Sequence, residues 1–146
     1  MILFHAEIFG NLPRKSNSRQ WMGAKRGLIK SNKALDYVKW AILQLNQYRG
    51  RSIASSSFMT QFPIEVPVVL GMKVWYQNRR SDLSDEIMSD VLQLKNGSGI
   101  IKDDNSIHVK VLRKLHSKDN PRALIWIAPL QSFDEVVTKV FPDAHS

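Results

Sequence analysis

The chain contains no cysteine. That excludes a disulfide framework, a thiolate-ligated zinc site, an iron–sulfur cluster and a cysteine nucleophile. It also lacks any apolar run near the roughly 20 residues that a membrane-crossing helix needs. Residues Met1 to Phe9 carry no basic leader and include Glu7, so no secretory signal is expected and a soluble, cytoplasmic, membrane-free protein is. Histidines are few. His5, His108, His116 and His145 are dispersed, with no metal-ligand spacing.

Acids are scarce at one end of the chain. Residues 1–51 hold ten Lys and Arg against only Glu7 and Asp36, a net charge of +8. Residues 52–146 hold eleven of each sign and net to zero. The formal charge of +8 and the pI of about 9.9 are therefore made by the N-terminal third. A basic segment on a neutral body is the electrostatic footprint of a polyanion partner, or else a solvated, solubilising surface.

What remains is an ordinary globular composition. The 146 residues, 43% hydrophobic and 23% charged, fit one domain spanning 1–146. Residues 2–9 alternate, with Ile2, Phe4, Ala6 and Ile8 on one side, and predict a strand that Gly10-Asn11-Leu12-Pro13 ends. The basic stretch 14–30 has no sustained period and reads as a loop or irregular hairpin. Ser31 or Asn32 caps a helix with the stripe Leu35, Val38, Ile42 and Leu45, ending near Gly50. Residues 51–62, rich in serine, read as a mobile connection.

Val66 to Tyr76 predicts a strong strand. From Leu83 the period becomes helical through Ile87, Val91 and Leu94, and Asn96-Gly97-Ser98-Gly99 stops it. Ile107–Leu112 and Ala123–Ile127 predict two strands, and the turn residues 117–121 between them predict a hairpin. Phe133, Val136, Val137 and Val140 suit one short helix in the tail, 128–146. This order predicts an α/β or α+β domain: a mixed sheet of about four strands flanked by two main helices.

Six of the thirteen acids fall between 82 and 104: Asp82, Asp85, Glu86, Asp90, Asp103 and Asp104. On a helix beginning near 82, residues 82, 85 and 86 are neighbours. Asp103-Asp104 follow the glycine loop and can return beside the helix start. Crowded carboxylates must protonate, disperse into water or bind a cation. Hard oxygen ligands without cysteine or clustered histidine select Mg²⁺ or Mn²⁺, which can assist phosphodiester cleavage. The same spacing also fits an N-cap at Asp82 with Asp85 at the third helical position, and a polar turn at 103–105.

Two runs carry a family resemblance: Asn78-Arg79-Arg80-Ser81-Asp82-Leu83-Ser84-Asp85, and Gly99-Ile100-Ile101-Lys102-Asp103-Asp104-Asn105-Ser106-Ile107. With the helix between them, they resemble the RusA family of Holliday junction resolvases, mostly phage-derived endonucleases. That family has basic residues, Asp-Leu-Asp-Asn, a helix bearing a Lys, a glycine loop, and Asp-Asp before a strand. The segment Gly10 to Arg19 is similar to the family's strand followed by basic, Ser and Asn residues. The resemblance covers roughly residues 2–127.

It implies a metal-dependent, structure-selective DNA endonuclease that resolves four-way junctions by paired symmetric nicks. The implied setting is a bacterial or phage-infected host cell. The implied cofactor is Mg²⁺ or Mn²⁺, with no small-molecule cofactor; the implied partners are branched DNA and a second copy in a homodimer. Asp82, Asp85 and Asp104 would be catalytic, and Asp82, Asp85, Asp103 and Asp104 would hold metal.

The chain departs from the pattern at two places. Ser84 stands where the family has Asp, and Asp85 where it has Asn, so either fills the second position. The family lysine falls at Met88 without a gap or at Ser89 with one, leaving Lys15, Lys25 or Lys30 as replacements. Candidate DNA-binding residues are Arg14, Lys15, Asn17, Ser18, Arg19, Lys25 and Arg26 in the basic arm, and Arg79 and Arg80 before the acids. Trp21 is the better candidate for stacking on an exposed base, Tyr48 the second; Trp40, Trp75 and Trp126 read as core or dimer contacts. The alternatives are a junction- or branched-DNA-binding protein with weak or no cleavage, and an RNA-binding or ribonuclease module.

Overall fold

Of the nine residues from Val68 to Tyr76, only Lys73 is charged, and this strand takes the centre of the molecule. The computed structural model describes residues 1–13, 19–21, 28–30, 32–55 and 61–145, with backbone alone for 19–21, 28–30, 50–55, 144 and 145. In chain order the elements are β1 (Phe4–Phe9), β2 (Arg19–Trp21), β3 (Leu28–Lys30), α1 (Asn32–Ser55), β4 (Val68–Tyr76), α2 (Glu86–Leu92), β5 (Ile107–His116), β6 (Arg122–Pro129) and α3 (Phe133–Val140). The main sheet runs β1-β6-β4-β5, and β2 with β3 forms a separate two-stranded antiparallel ribbon. This is the expected single α+β domain with a four-stranded mixed sheet. The ribbon agrees with the irregular hairpin read at 14–30.

The hairpin expected between the fifth and sixth strands does not form. β5 pairs with β4 in parallel, β6 pairs with β4 antiparallel, and β4 lies between them. The turn after His116 steps across the end of β4, where the Ser117 amide donates to the Tyr76 carbonyl at 3.0 Å. The reason is burial. β4 is apolar on both faces and needs a paired strand on each side, whereas β5 is studded with cations and suits an edge.

The two faces of β4 seed two cores. Val68, Leu70, Met72, Val74 and Tyr76 join Phe4, Ala6 and Ile8 of β1 under α1 and α2. Val69 packs with Ala128 of β6 and with Val136 and Val140 of α3. The buried stripe of α1 is Ala34, Tyr37, Val38, Ala41 and Leu45. Leu35, expected on that stripe, is exposed, because the helix is turned one position to seat Ala34 and Tyr37. The helix also runs five residues past Gly50, into the stretch read as a connection; residues 56–60 lie outside the described residues. Neither Trp40, Trp75 nor Trp126 is fully buried: Trp40 is exposed with its Nε1 donating to the Phe9 carbonyl, and Arg122 lies 4.0 Å over the Trp75 ring.

Helix α2 begins at Glu86, not near 82. Local hydrogen bonds hold the preceding residues out of the helix. The Arg80 amide donates to Asn78 Oδ1 at 2.9 Å, and the Ser81 amide to the Asn78 carbonyl. The Ser84 amide reaches the Tyr76 hydroxyl at 3.4 Å, and the Glu86 amide donates to Ser84 Oγ at 3.2 Å. Asp82 therefore is not the N-cap, and 82, 85 and 86 do not share one helical face. The helix ends at Leu92, earlier than the expected stop at Asn96, and Leu94, expected on its buried stripe, lies beyond it and is exposed. Gly97 then packs against the helix end, where a Cβ would lie 2.2 Å from the Gln93 carbonyl oxygen.

Candidate functional site

Strand β5 alternates, and one irregularity decides which side chains meet the acids. Ile107 is opposite Val68 and Val109 is opposite Val69, so His108 is an extra residue with no partner on β4. Such a bulge reverses the facing of everything after it. Val109 and Val111 consequently pack toward α3, while Leu112 packs into the main core on the other face. Lys110, Lys114 and His116 share the Leu112 face, the one that α2 covers.

Lys110 there meets Asp85. Its Nζ lies 2.6 Å from Asp85 Oδ2, and the Asp85 side chain is only 17% exposed. The same oxygen accepts from Ser89 Oγ at 3.2 Å. Met88, where the family lysine falls without a gap, is fully buried in the core, and Ser89, where it falls with one, is buried against Asp85. Spacing along the chain did not single out Lys110. The period-two run Lys110, Leu112, Lys114 was its only signal, and that becomes informative once the pairing partner is known.

Asp82 is exposed, yet close enough to the buried Tyr76 hydroxyl to affect it. Burial pushes the Tyr76 hydroxyl up, the Ser84 amide partly offsets this, and the Asp82 charge adds to it. Asp103 caps a short 3₁₀ turn, its Oδ1 accepting from the Asn105 amide at 2.8 Å, as the polar-turn alternative expects. Asp104 is exposed at the start of that turn. Among the described residues, no three acids or histidines are placed together to hold a metal ion. Asp82, Asp85, Asp103 and Asp104 are thus not brought together as a three-ligand group among the described residues.

Cations gather beyond the end of β4. An open groove of about 540 Å³ is lined by Gln77, Asn78, Arg79, Arg80, His116 and Lys118. A second hollow of about 320 Å³ adjoins it through Arg79 and His116 and adds Lys114. No carboxylate of the described residues lines either one. The walls are braced by backbone acceptors: Lys114 Nζ donates to the Arg79 carbonyl at 2.8 Å, and His116 Nε2 lies 3.1 Å from the Gln77 carbonyl. Asn11 joins from the end of β1, its Oδ1 accepting from the Gln77 amide at 2.8 Å. Among the described residues, the side chains of Arg79, Arg80 and Lys118 make no ion pair. Uncompensated guanidinium and ammonium groups around one hollow attract anions, and phosphate suits the arginine fork.

The expected binding residues divide accordingly. Arg79 and Arg80 are in the groove, and Lys114, His116 and Lys118 are additions that sequence reasoning missed. Arg14, Lys15, Asn17, Ser18, Lys25 and Arg26 lie outside the described residues. Arg19 and Trp21 belong to β2 and Lys30 to β3, described by backbone alone. Tyr48 is partly buried and packs against the main core. No helix among the described residues is long and apolar enough to cross a membrane. No protein-family model matches the chain, and no curated protein matches it.

Proposed function

We propose that this protein binds branched DNA, four-way junctions foremost, and cleaves it weakly or not at all. The observation that carries this reading is the acid-free groove of Arg79, Arg80, Lys114, His116 and Lys118. Phosphate contacts supply most of the sequence-independent affinity for DNA, and cations unpaired in the free protein are the ones available for them. The +8 N-terminal segment adds to the same attraction. Weak cleavage accords with the acids: Asp85 is tied to Lys110, and Ser84 offers a hydroxyl that already accepts from Glu86.

A second reading keeps the full activity that the RusA resemblance implies, a homodimeric Mg²⁺- or Mn²⁺-dependent endonuclease making paired nicks. It is favoured by Asp82 and Asp104, which are exposed and make no ion pair among the described residues. One experiment separates the two. A synthetic four-way junction is incubated with the protein in EDTA, in Mg²⁺ and in Mn²⁺, and both retardation and nicking are measured. Retardation in EDTA with little nicking in either metal is expected. Symmetric nicking at high turnover would establish the second reading. Failure to retard a junction in preference to duplex DNA would overturn both, and stronger competition by RNA would favour an RNA-binding module.

A further inference from the structure

We propose that Lys110 is the built-in counter-ion of Asp85, standing where a divalent cation would otherwise bind, so that this acidic segment takes no metal in the native chain. The His108 bulge turns Lys110 toward α2, and the chain running into that helix brings Asp85 to meet it. The ammonium lies 2.6 Å from Oδ2, and the Ser89 hydroxyl is a second donor to the same oxygen. A Mg²⁺ ion binds carboxylate oxygen at about 2.0–2.1 Å. Bound to Oδ2, it would sit no more than about 4.7 Å from the Lys110 nitrogen. Like charges that close, beside a carboxylate largely shielded from water, repel more strongly than they would in solvent.

The neighbours do not compensate. Met88 is apolar and buried, and Ser84 Oγ already accepts from the Glu86 amide. The positive charge at this segment is thus carried covalently on an adjacent strand. Removing it leaves Asp85 a half-buried carboxylate in need of a cation.

The inference is independent of DNA binding, because its test uses the protein alone. Mn²⁺ is titrated into the parent chain, Lys110→Met, Lys110→Arg and the double variant Lys110→Met with Asp85→Asn, and free Mn²⁺ is read by electron paramagnetic resonance. Lys110→Met should bind Mn²⁺ roughly tenfold more tightly than the parent or better, since a like charge has been removed. Lys110→Arg should match the parent, and the double variant should bind no more tightly than the parent does. Equal Mn²⁺ affinity in the parent and Lys110→Met would overturn the proposal. Thermal melts by circular dichroism check folding, with Lys110→Gln as substitute if Lys110→Met does not fold. The parent supplies a second measurement: Mn²⁺ should leave the amide resonances of Asp85 and Lys110 sharp in its NMR spectrum. Selective broadening of those two would also overturn the proposal.

Discussion

A single methyl group at position 71 would collide with the helix above the sheet. A Cβ on Gly71 would lie 2.5 Å from Val136 Cγ1 and 3.0 Å from Val140 Cγ2. Valine is stiff at χ1 and cannot swing aside as a longer side chain would. Gly71→Ala should therefore lift α3 from β4 and cost about 1–3 kcal/mol, in the range of overpacked cores. Urea unfolding checks this, and a variant as stable as the parent would show that α3 yields freely. Elsewhere on this face Arg113 clamps Asp143 with two bonds, at 2.9 and 3.2 Å, and holds that carboxyl below its usual range. In the main core, burial pushes the Tyr37 hydroxyl far up, with the nearby Tyr76 adding to it.

At the scale of elements, β5 does two jobs with one set of residues. It is an edge strand of ten residues, paired with β4 alone among the described strands. Lysines on such an edge discourage a second sheet from pairing there. Lys114 and His116 from this strand, with the following Lys118, wall the groove. Neutralising Arg79, Arg80 and Lys118 together should weaken junction binding and flatten its salt dependence. For every phosphate that goes unbound, the slope of log affinity against log salt should fall by about 0.9 on duplex DNA and about 0.7 on single strands. Fluorescence anisotropy from low to high salt measures this. An unchanged slope would mean that the groove does not touch DNA.

At the scale of the whole molecule, charge and symmetry set the expectation. The N-terminal segment carries the whole net charge, whereas the groove is built from the electrically neutral remainder. If the proposed binding holds, long-range attraction and close contact would come from different parts of the chain. Symmetric action on a four-way junction requires two copies related by a two-fold axis. Sedimentation of the free protein should give twice the 16.7 kDa chain mass, and the complex should hold two copies per junction. One copy per junction at saturation would exclude paired, symmetric engagement.

Much of this fold was legible along the chain, because burial leaves a periodic trace. Phe4, Ala6 and Ile8 alternate inward, the run from Val68 to Tyr76 is buried, and Ile87 and Val91 keep the core face of α2. The expected stop lies too late, since α2 ends at Leu92 and leaves Leu94 exposed beyond it. The clustering of acids and the arginines before them were likewise visible, since both are local in sequence. Partner choice was not. The turn residues at 117–121 read alike whether the chain doubles back on β5 or steps across β4, and only the burial demand of β4 on both faces selects the step. The start of α2 depended on a Tyr76 hydroxyl eight residues away in sequence. Most of all, the encounter of Lys110 with Asp85 rests on a one-residue bulge. Alternation in a sequence says which residues share a face, but a bulge moves that face, and it exists only once two strands are paired.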